Sequence, residues 1–126
     1  MKRAFAIAAA AGLLAAGSAE AHHSGAMFDR SRQVTLVGTV KDFEWTNPHS
    51  SFAVEVTKPG GAVELWGVEM NSPNNLVREG WTRTTLQPGD KITAVINPLR
   101  DGKPGGVYVG ITLPTGKVLG AGAPPK

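Results

Sequence analysis

The amino-acid sequence predicts a small all-β domain with one short helix. Several segments alternate between apolar and polar side chains, which is the period of a half-buried strand. The 16 glycines and 9 prolines among the 126 residues place frequent turns between these segments. A hydrophobic content of 41% with 18% charged residues is typical of a folded globular chain, and the length suits one domain.

The first predicted strand runs from Val34 to Trp45 and is rich in β-branched and aromatic residues. Its apolar positions form two sets of opposite parity, namely Leu36 with Val40 and Phe43 with Trp45. Gly38 fits a bulge or a strong bend, because glycine inside a strand often marks one. A bulge between the two sets would turn both toward the same face.

Four further strands and one short segment follow the first. They are Phe52–Thr57, Val63–Met70, Lys91–Asn97 and Gly106–Leu113, with the short segment at Lys117–Leu119. Pro48 ends the first strand, because proline cannot donate to a strand ladder. In the fifth strand one parity predicts a single apolar face, formed by Val107, Val109, Ile111 and Leu113.

A short helix is predicted between the third and fourth strands. Ser72 can cap it, Pro73 suits its first position, and Gly80 suits the residue after its end. Leu76 and Val77 are the residues that we expect it to bury.

Three strands, a helix and two more strands is the element order of an OB-type barrel, in which a long bent first strand serves both sheets. A small β-sandwich is the alternative, but closure into a barrel removes exposed strand edges. The sequence thus predicts a five- to six-stranded OB-like barrel. Its organisation is a signal peptide at 1–21, a lead-in at 22–33, the barrel at 34–119 and a flexible tail at 120–126.

The first residues have the pattern of a secretory signal. A cationic start precedes an apolar stretch from Phe5 to Ala16, and Ala19-Glu20-Ala21 is an A-x-A cleavage signature. A membrane anchor is the alternative, but the stretch is shorter than the roughly 20 residues that span a bilayer. We therefore expect cleavage after Ala21 and a periplasmic or secreted protein without a membrane span.

Charge and cysteine content exclude several function classes. The formal net charge is +3, and the basic residues are scattered among acids, whereas a nucleic-acid surface needs them clustered. No nucleic-acid partner is expected. The absence of cysteine excludes disulfides, thiolate metal sites and a cysteine nucleophile.

The three histidines, His22, His23 and His49, are the strongest candidates for chemistry. Cleavage after Ala21 makes His22 the first mature residue, so that its α-amine and imidazole can chelate one metal ion. Such nitrogen donors favour copper first and zinc second. The alternative is a polar, mobile chain end. His22 and His49 flank the first strand, so they meet only if residues 22–33 double back.

Tryptophan side chains suggest a second binding surface. Trp45, Asn47, Trp66 and Glu69 are candidates to bind an organic ligand or a cell-envelope partner, because tryptophan is favoured at binding surfaces. The alternative is that the tryptophans, with Trp81, form the core of a small barrel. No GxSxG, HExxH or phosphate-loop motif occurs. We therefore expect no catalysis, and a metal-dependent enzyme at His22 and His49 is the least favoured hypothesis.

Several motifs together resemble one known family across about residues 22–119. They are His22-His23-Ser24, Glu44-Trp45-Thr46-Asn47-Pro48-His49, Trp66-Gly67-Val68-Glu69, Ser72-Pro73-Asn74, Gly80-Trp81 and Leu86-Gln87-Pro88-Gly89-Asp90. The chain resembles the domain of unknown function 6152 family of small exported bacterial proteins. The resemblance implies export and a small β-rich domain, and it assigns no catalytic residue. The three histidines lie within the matching motifs, together with Trp45, Asn47 and Glu69. We therefore expect the functional surface at the N-terminal segment, the first loop and the third strand.

Overall fold

The computed structural model describes residues 25–121. The predicted signal peptide, His22, His23 and residues 122–126 lie outside the described residues. The elements are a 3-10 turn at Gly25–Met27 and strands β1 Val34–Glu44, β2 Ser51–Thr57, β3 Val63–Glu69, β4 Lys91–Pro98, β5 Gly105–Thr112 and β6 Val118–Gly120, with helix α1 Pro73–Arg78 between β3 and β4. No helix in this part of the chain is long and apolar enough to cross a membrane.

The strands form one closed barrel with a short sixth strand at its margin. Their order is β3-β2-β1-β4-β5-β6, and a parallel pairing of β3 with β5 closes the sheet. Every other pairing is antiparallel. The predicted OB-like barrel is therefore confirmed.

Strand β1 serves both halves of the barrel, as its length suggests. It pairs with β4 up to Thr39 and with β2 from Thr39 onward. Gly38 lies where the partners change, and a Cβ atom there would overlap the carbonyl oxygen of Glu55. The register shift falls between Val40 and Asp42, so the bulge is at Lys41 rather than at Gly38. It lies between the two apolar sets, and both sets pack against the core, as predicted.

The barrel interior is apolar and rich in aromatic residues. Trp81 is 1% exposed and contacts Phe43 and Tyr108, with ring centroids 5.9 and 5.4 Å away. The Trp81 indole Nε1 donates a hydrogen bond to the Tyr108 hydroxyl at 3.2 Å. The aromatic side chains therefore tie the β1 end, the segment after α1 and β5 together.

The prediction for β5 is wrong at two positions. The pairing with β4 shifts between Val95 and Ile96, and this leaves Val109 without a partner in the β4 register. The bulge reverses the parity of β5, so Tyr108 packs against the core together with Ile111 and Leu113. Val107 and Val109 do not share that face.

Helix α1 begins and ends as predicted but differs in two details. Pro73 lies in its first turn, and Gly80 follows its end with φ +97°. Ser72 is the N-cap residue, but its side chain forms no capping hydrogen bond. Leu76 is fully buried, whereas Val77 is 58% exposed, because a single short helix turns only one narrow face to the barrel.

Candidate functional site

The loop between β1 and β2 presents His49 with a fixed ring orientation. His49 Nδ1 lies 3.0 Å from the carbonyl oxygen of Met70, which directly follows β3. A carbonyl oxygen only accepts hydrogen bonds, so Nδ1 carries the proton in the neutral ring. Nε2 therefore keeps its lone pair and is the nitrogen that can bind a ligand.

Glu69 is the acidic neighbour of His49. Its Oε1 lies 3.9 Å from His49 Nδ1, and its side chain is 22% exposed, against 54% for that of His49. Glu69 points outward because Val68 and Met70, on either side of it, fill the core. The structure thus brings together two of the predicted site residues.

Residues 25–29, here called the N-terminal strap, fold back toward this pair. Asp29 N–H donates to the carbonyl of Pro98 at 2.8 Å, and Arg100 N–H donates to that of Met27 at 2.9 Å. The Arg100 Nε donates to the carbonyl of Ala26 at 3.0 Å. Hydrogen bonds from Ser31 lower the pKa of Asp29. The strap is therefore fastened to the loop that follows β4.

Two cavities meet at His49 and Glu69. The first, here called the His49 cavity, has a volume of about 390 Å³ and includes Gly25, the first described residue, in its lining. The second, here called the acidic groove, has a volume of about 530 Å³ and crosses the outer face of β1, β2 and β3. His49, Glu69 and Phe28 line both. The described part of the lead-in thus doubles back to the His49 side of the barrel.

The carboxylates of the acidic groove differ from other acids on these strands. Glu55 pairs with Lys41 at 3.1 Å, and Glu64 pairs with Lys58 at 3.3 Å. Asp42 and Glu44 line the groove and form no ion pair or side-chain hydrogen bond within residues 25–121. No lysine or arginine of this range lines the groove. Among the described residues, the charged side chains that line the groove are therefore carboxylates, apart from the ring of His49.

The predicted tryptophan surface has a different environment from that of His49. Trp45 and Trp66 are half-buried and pack against the core, and Trp81 lies within it. The Trp66 indole Nε1 donates to Glu64 at 2.8 Å. None of the three lines the acidic groove or the His49 cavity. Asn47 is exposed in the loop before His49.

Metal-binding potential rests on few residues in the described range. Within residues 25–121 no three His, Asp or Glu side chains are close enough to hold a metal ion. Met70, which follows Glu69 directly, offers no sulfur ligand, because it is 2% exposed and belongs to the core. A metal at His49 would therefore need donors from residues before Gly25.

Sequence reasoning missed the acidic groove. Sequence patterns identify neither Asp42 nor Glu44 as a candidate binding residue. Alternation with the apolar residues Phe43 and Trp45 does indicate that the side chains of Asp42 and Glu44 point outward. Their position opposite Ser51 and Ala53 depends on the Lys41 bulge, which sets the cross-strand register.

A solved structure has the same fold class as this chain. A crystal structure of the mitochondrial single-stranded DNA binding protein Rim1 from S. cerevisiae superposes with a TM-score of 0.50 and 10% sequence identity, over 65% of this chain and 92% of that one. A selenomethionine-labelled crystal structure of Rim1 gives a TM-score of 0.44 at the same identity and coverage. At this identity the likeness concerns the fold alone.

Sequence comparison places the chain in a family. No curated protein matches it. A family model matches residues 11–108, which include β1 to β4 and the Thr46–Ser50 loop that carries His49. The chain belongs to the family of unknown function DUF6152.

Proposed function

We propose that this chain is an exported, non-catalytic binding module that holds a transition-metal ion at His49, copper(II) first and zinc(II) second. The observation that carries the proposal is the hydrogen bond from His49 Nδ1 to the Met70 carbonyl. Metal-binding histidines commonly donate their other ring N–H to a carbonyl or a carboxylate, which fixes the ring for the metal. His49 has this arrangement, and its Nε2 is the metal-binding atom.

The remaining donors come from His22 and His23. Gly25 shares a cavity with His49, and His23 precedes Gly25 by two residues. Two residues of chain can span up to about 7 Å, so the separation in sequence allows His23 to supply a donor. Cleavage after Ala21 would add the α-amine of His22, whose ordinary pKa of about 7.7–8.0 leaves part of it neutral at pH 7.

The donor chemistry favours copper. Imidazole and amine nitrogens suit copper(II) and zinc(II), and copper binds more tightly in the general affinity order of divalent metals. Glu69 adds a negative charge next to the ring, with its Oε1 3.9 Å from His49 Nδ1. This carboxylate is on the Nδ1 side of the ring, so it attracts a cation bound at Nε2 from a longer distance than it does the ring nitrogen.

The neighbouring residues argue against catalysis. The Ser50 hydroxyl, next to His49 in sequence, is fully buried and accepts a hydrogen bond from the Thr46 N–H at 3.3 Å. The same hydroxyl also donates to the Thr46 carbonyl at 3.4 Å, so both of its hydrogen-bonding roles are occupied by backbone, which argues against a nucleophilic serine.

The free carboxylates of the acidic groove also oppose the approach of phosphates, which nucleic-acid binding requires.

Copper titration of the exported protein tests the proposal. The chain is expressed with its own leader, and intact mass and N-terminal sequencing establish the mature start. Calorimetry and electron paramagnetic resonance then follow the addition of Cu(II). We expect one-to-one binding with nitrogen hyperfine structure, at least tenfold weaker in His49→Ala.

Two further variants locate the donors. One additional alanine before His22 displaces the α-amine and should weaken binding, whereas Glu55→Gln, which lies outside both cavities, should leave it unchanged. Equal copper affinity in the wild type and in His49→Ala would contradict the proposal. In that case His22 and His23 would be only polar residues at the chain end, and His49 would not be a metal ligand.

A further inference from the structure

The floor of the acidic groove consists of small side chains on paired strands. Ser51, Ala53 and Gly67 point outward, because they alternate with the core residues Phe52, Val54 and Val68 of the same strands. Ala53 lies opposite both Asp42 and Gly67 in the strand registers. A Cβ atom at Gly67 would meet nothing within 4 Å. Packing therefore does not require glycine at this position. The absence of a side chain at Gly67 keeps the groove open.

Acidic and apolar side chains line the groove together. Glu44, Ser51 and Glu69 form one cross-strand row. Because neighbouring strands are about 4.8 Å apart, the backbones of Glu44 and Glu69 are roughly 10 Å apart. Apolar lining comes from Met27, Phe28, Pro48 and Leu99. The groove thus combines several separated negative charges with a hydrophobic surface.

We propose that the acidic groove binds a free polyamine, a short alkyl chain with two or more ammonium groups. Its ammonium groups pair with the carboxylates of Asp42, Glu44 and Glu69, and its methylene groups lie against the apolar lining. His49 and Glu69 line both this groove and the His49 cavity, so the polyamine site adjoins the proposed metal site, whereas Asp42 and Glu44 line the groove alone. Asp42 and Glu44, which have no ion pair within residues 25–121, are the main ligands.

Backbone pairing favours a small molecule over a peptide. An extended peptide usually binds a barrel by adding a strand to a free edge. Strand β2 is paired on both sides, and β3 pairs with β5 at Gly67 and Glu69, so the groove offers no free strand edge. The volume of about 530 Å³ is within the range of roughly 300–1,000 Å³ that is usual for small-ligand sites.

Spermidine titration of the full exported protein at low ionic strength tests this inference. We expect saturable one-to-one binding by calorimetry, with n-butylamine, which has one ammonium group, binding at least tenfold more weakly. The double variant Asp42→Asn/Glu44→Gln should weaken spermidine binding at least tenfold. Gly67→Leu should do the same by filling the groove, and its circular dichroism and Tm should match those of the wild type.

A matched double variant removes two negative charges elsewhere. Glu55→Gln/Glu64→Gln changes the net charge by the same amount but affects acids that pair with lysines outside the groove. Its spermidine affinity should stay within twofold of the wild type. An equal loss in both double variants would indicate nonspecific charge attraction and overturn the proposal.

Two other outcomes would also overturn it. One is the absence of saturable spermidine binding to the wild type. The other is tighter binding of a pentalysine peptide, with displacement of spermidine. That result would indicate that the groove binds a basic segment of a protein partner. Copper binding by Asp42→Asn/Glu44→Gln distinguishes the two sites, since it should equal that of the wild type.

Discussion

The inner and outer faces of the same barrel strands differ in packing and in charge. On the inner face Gly38 allows β1 and β2 to approach closely, and the interior aromatic rings contact one another. On the outer face Gly67 leaves open space, and Asp42 and Glu44 have no cation partner within residues 25–121. The interior residues are therefore constrained by packing and determine the fold. The outer residues are not constrained by packing and can determine which ligand binds.

Removal of the central aromatic residue should have the largest effect on stability. Trp81→Ala leaves a cavity between Phe43 and Tyr108 and removes the hydrogen bond to the Tyr108 hydroxyl. We expect the free energy of unfolding to fall by about 3–5 kcal/mol, as measured by urea denaturation. A loss below about 1 kcal/mol would show that the barrel does not depend on this aromatic cluster.

The two glycines give a direct test of the difference between the faces. Gly38→Ala forces a Cβ atom against the Glu55 carbonyl and the Val54 side chain, so we expect a loss of about 1–3 kcal/mol. Gly67→Ala meets no neighbour and should change the unfolding free energy by at most about 0.5 kcal/mol. Equal effects in parallel urea melts would refute the contrast between the inner and outer faces.

The titration of Tyr108 should leave stability unchanged at neutral pH and lower it only above pH 10. Burial raises its pKa from an ordinary value near 10 to about 12, and the hydrogen bond from Trp81 opposes part of this rise. The folded state therefore holds the proton more tightly than the unfolded state. The contribution of Tyr108 to stability is constant below pH 10 and declines as the pH rises from 10 toward 12.

Tyrosinate absorbance can follow this titration without ambiguity, because Tyr108 is the single tyrosine of the sequence. The midpoint should lie near 12 in the folded protein and near 10 in the urea-unfolded chain. Identical midpoints in the two states would mean that the ring is not buried in the aromatic cluster.

Local patterns in the sequence were sufficient for most of the fold. Alternation identified β2 and β4, and Pro73 and Gly80 bounded the helix, because these signals act over a few residues. Val77 and the apolar face of β5 were predicted wrongly. The orientation of Val77 depends on how α1 packs against the barrel, and that of Val107 and Val109 depends on the bulge opposite β4.

The candidate site was only partly predictable. His49 and Glu69 were identified by residue type, but their proximity results from the β2–β3 pairing, which places Ser51 opposite Glu69. Asp42 had no signal of its own in the sequence. It belongs to the acidic groove through the Lys41 bulge and the cross-strand register.

The sequence by itself determined where the strands and turns lie and which histidines are candidate ligands. Side-chain periodicity and residue chemistry are local properties. Tertiary structure alone decided that Gly25 returns to the cavity of His49 and that Asp42 and Glu44 line one groove. Both arrangements bring together residues that are far apart in the sequence. They follow from barrel closure and from the hydrogen bonds between the strap and the segment around Pro98 and Arg100, which no local pattern encodes.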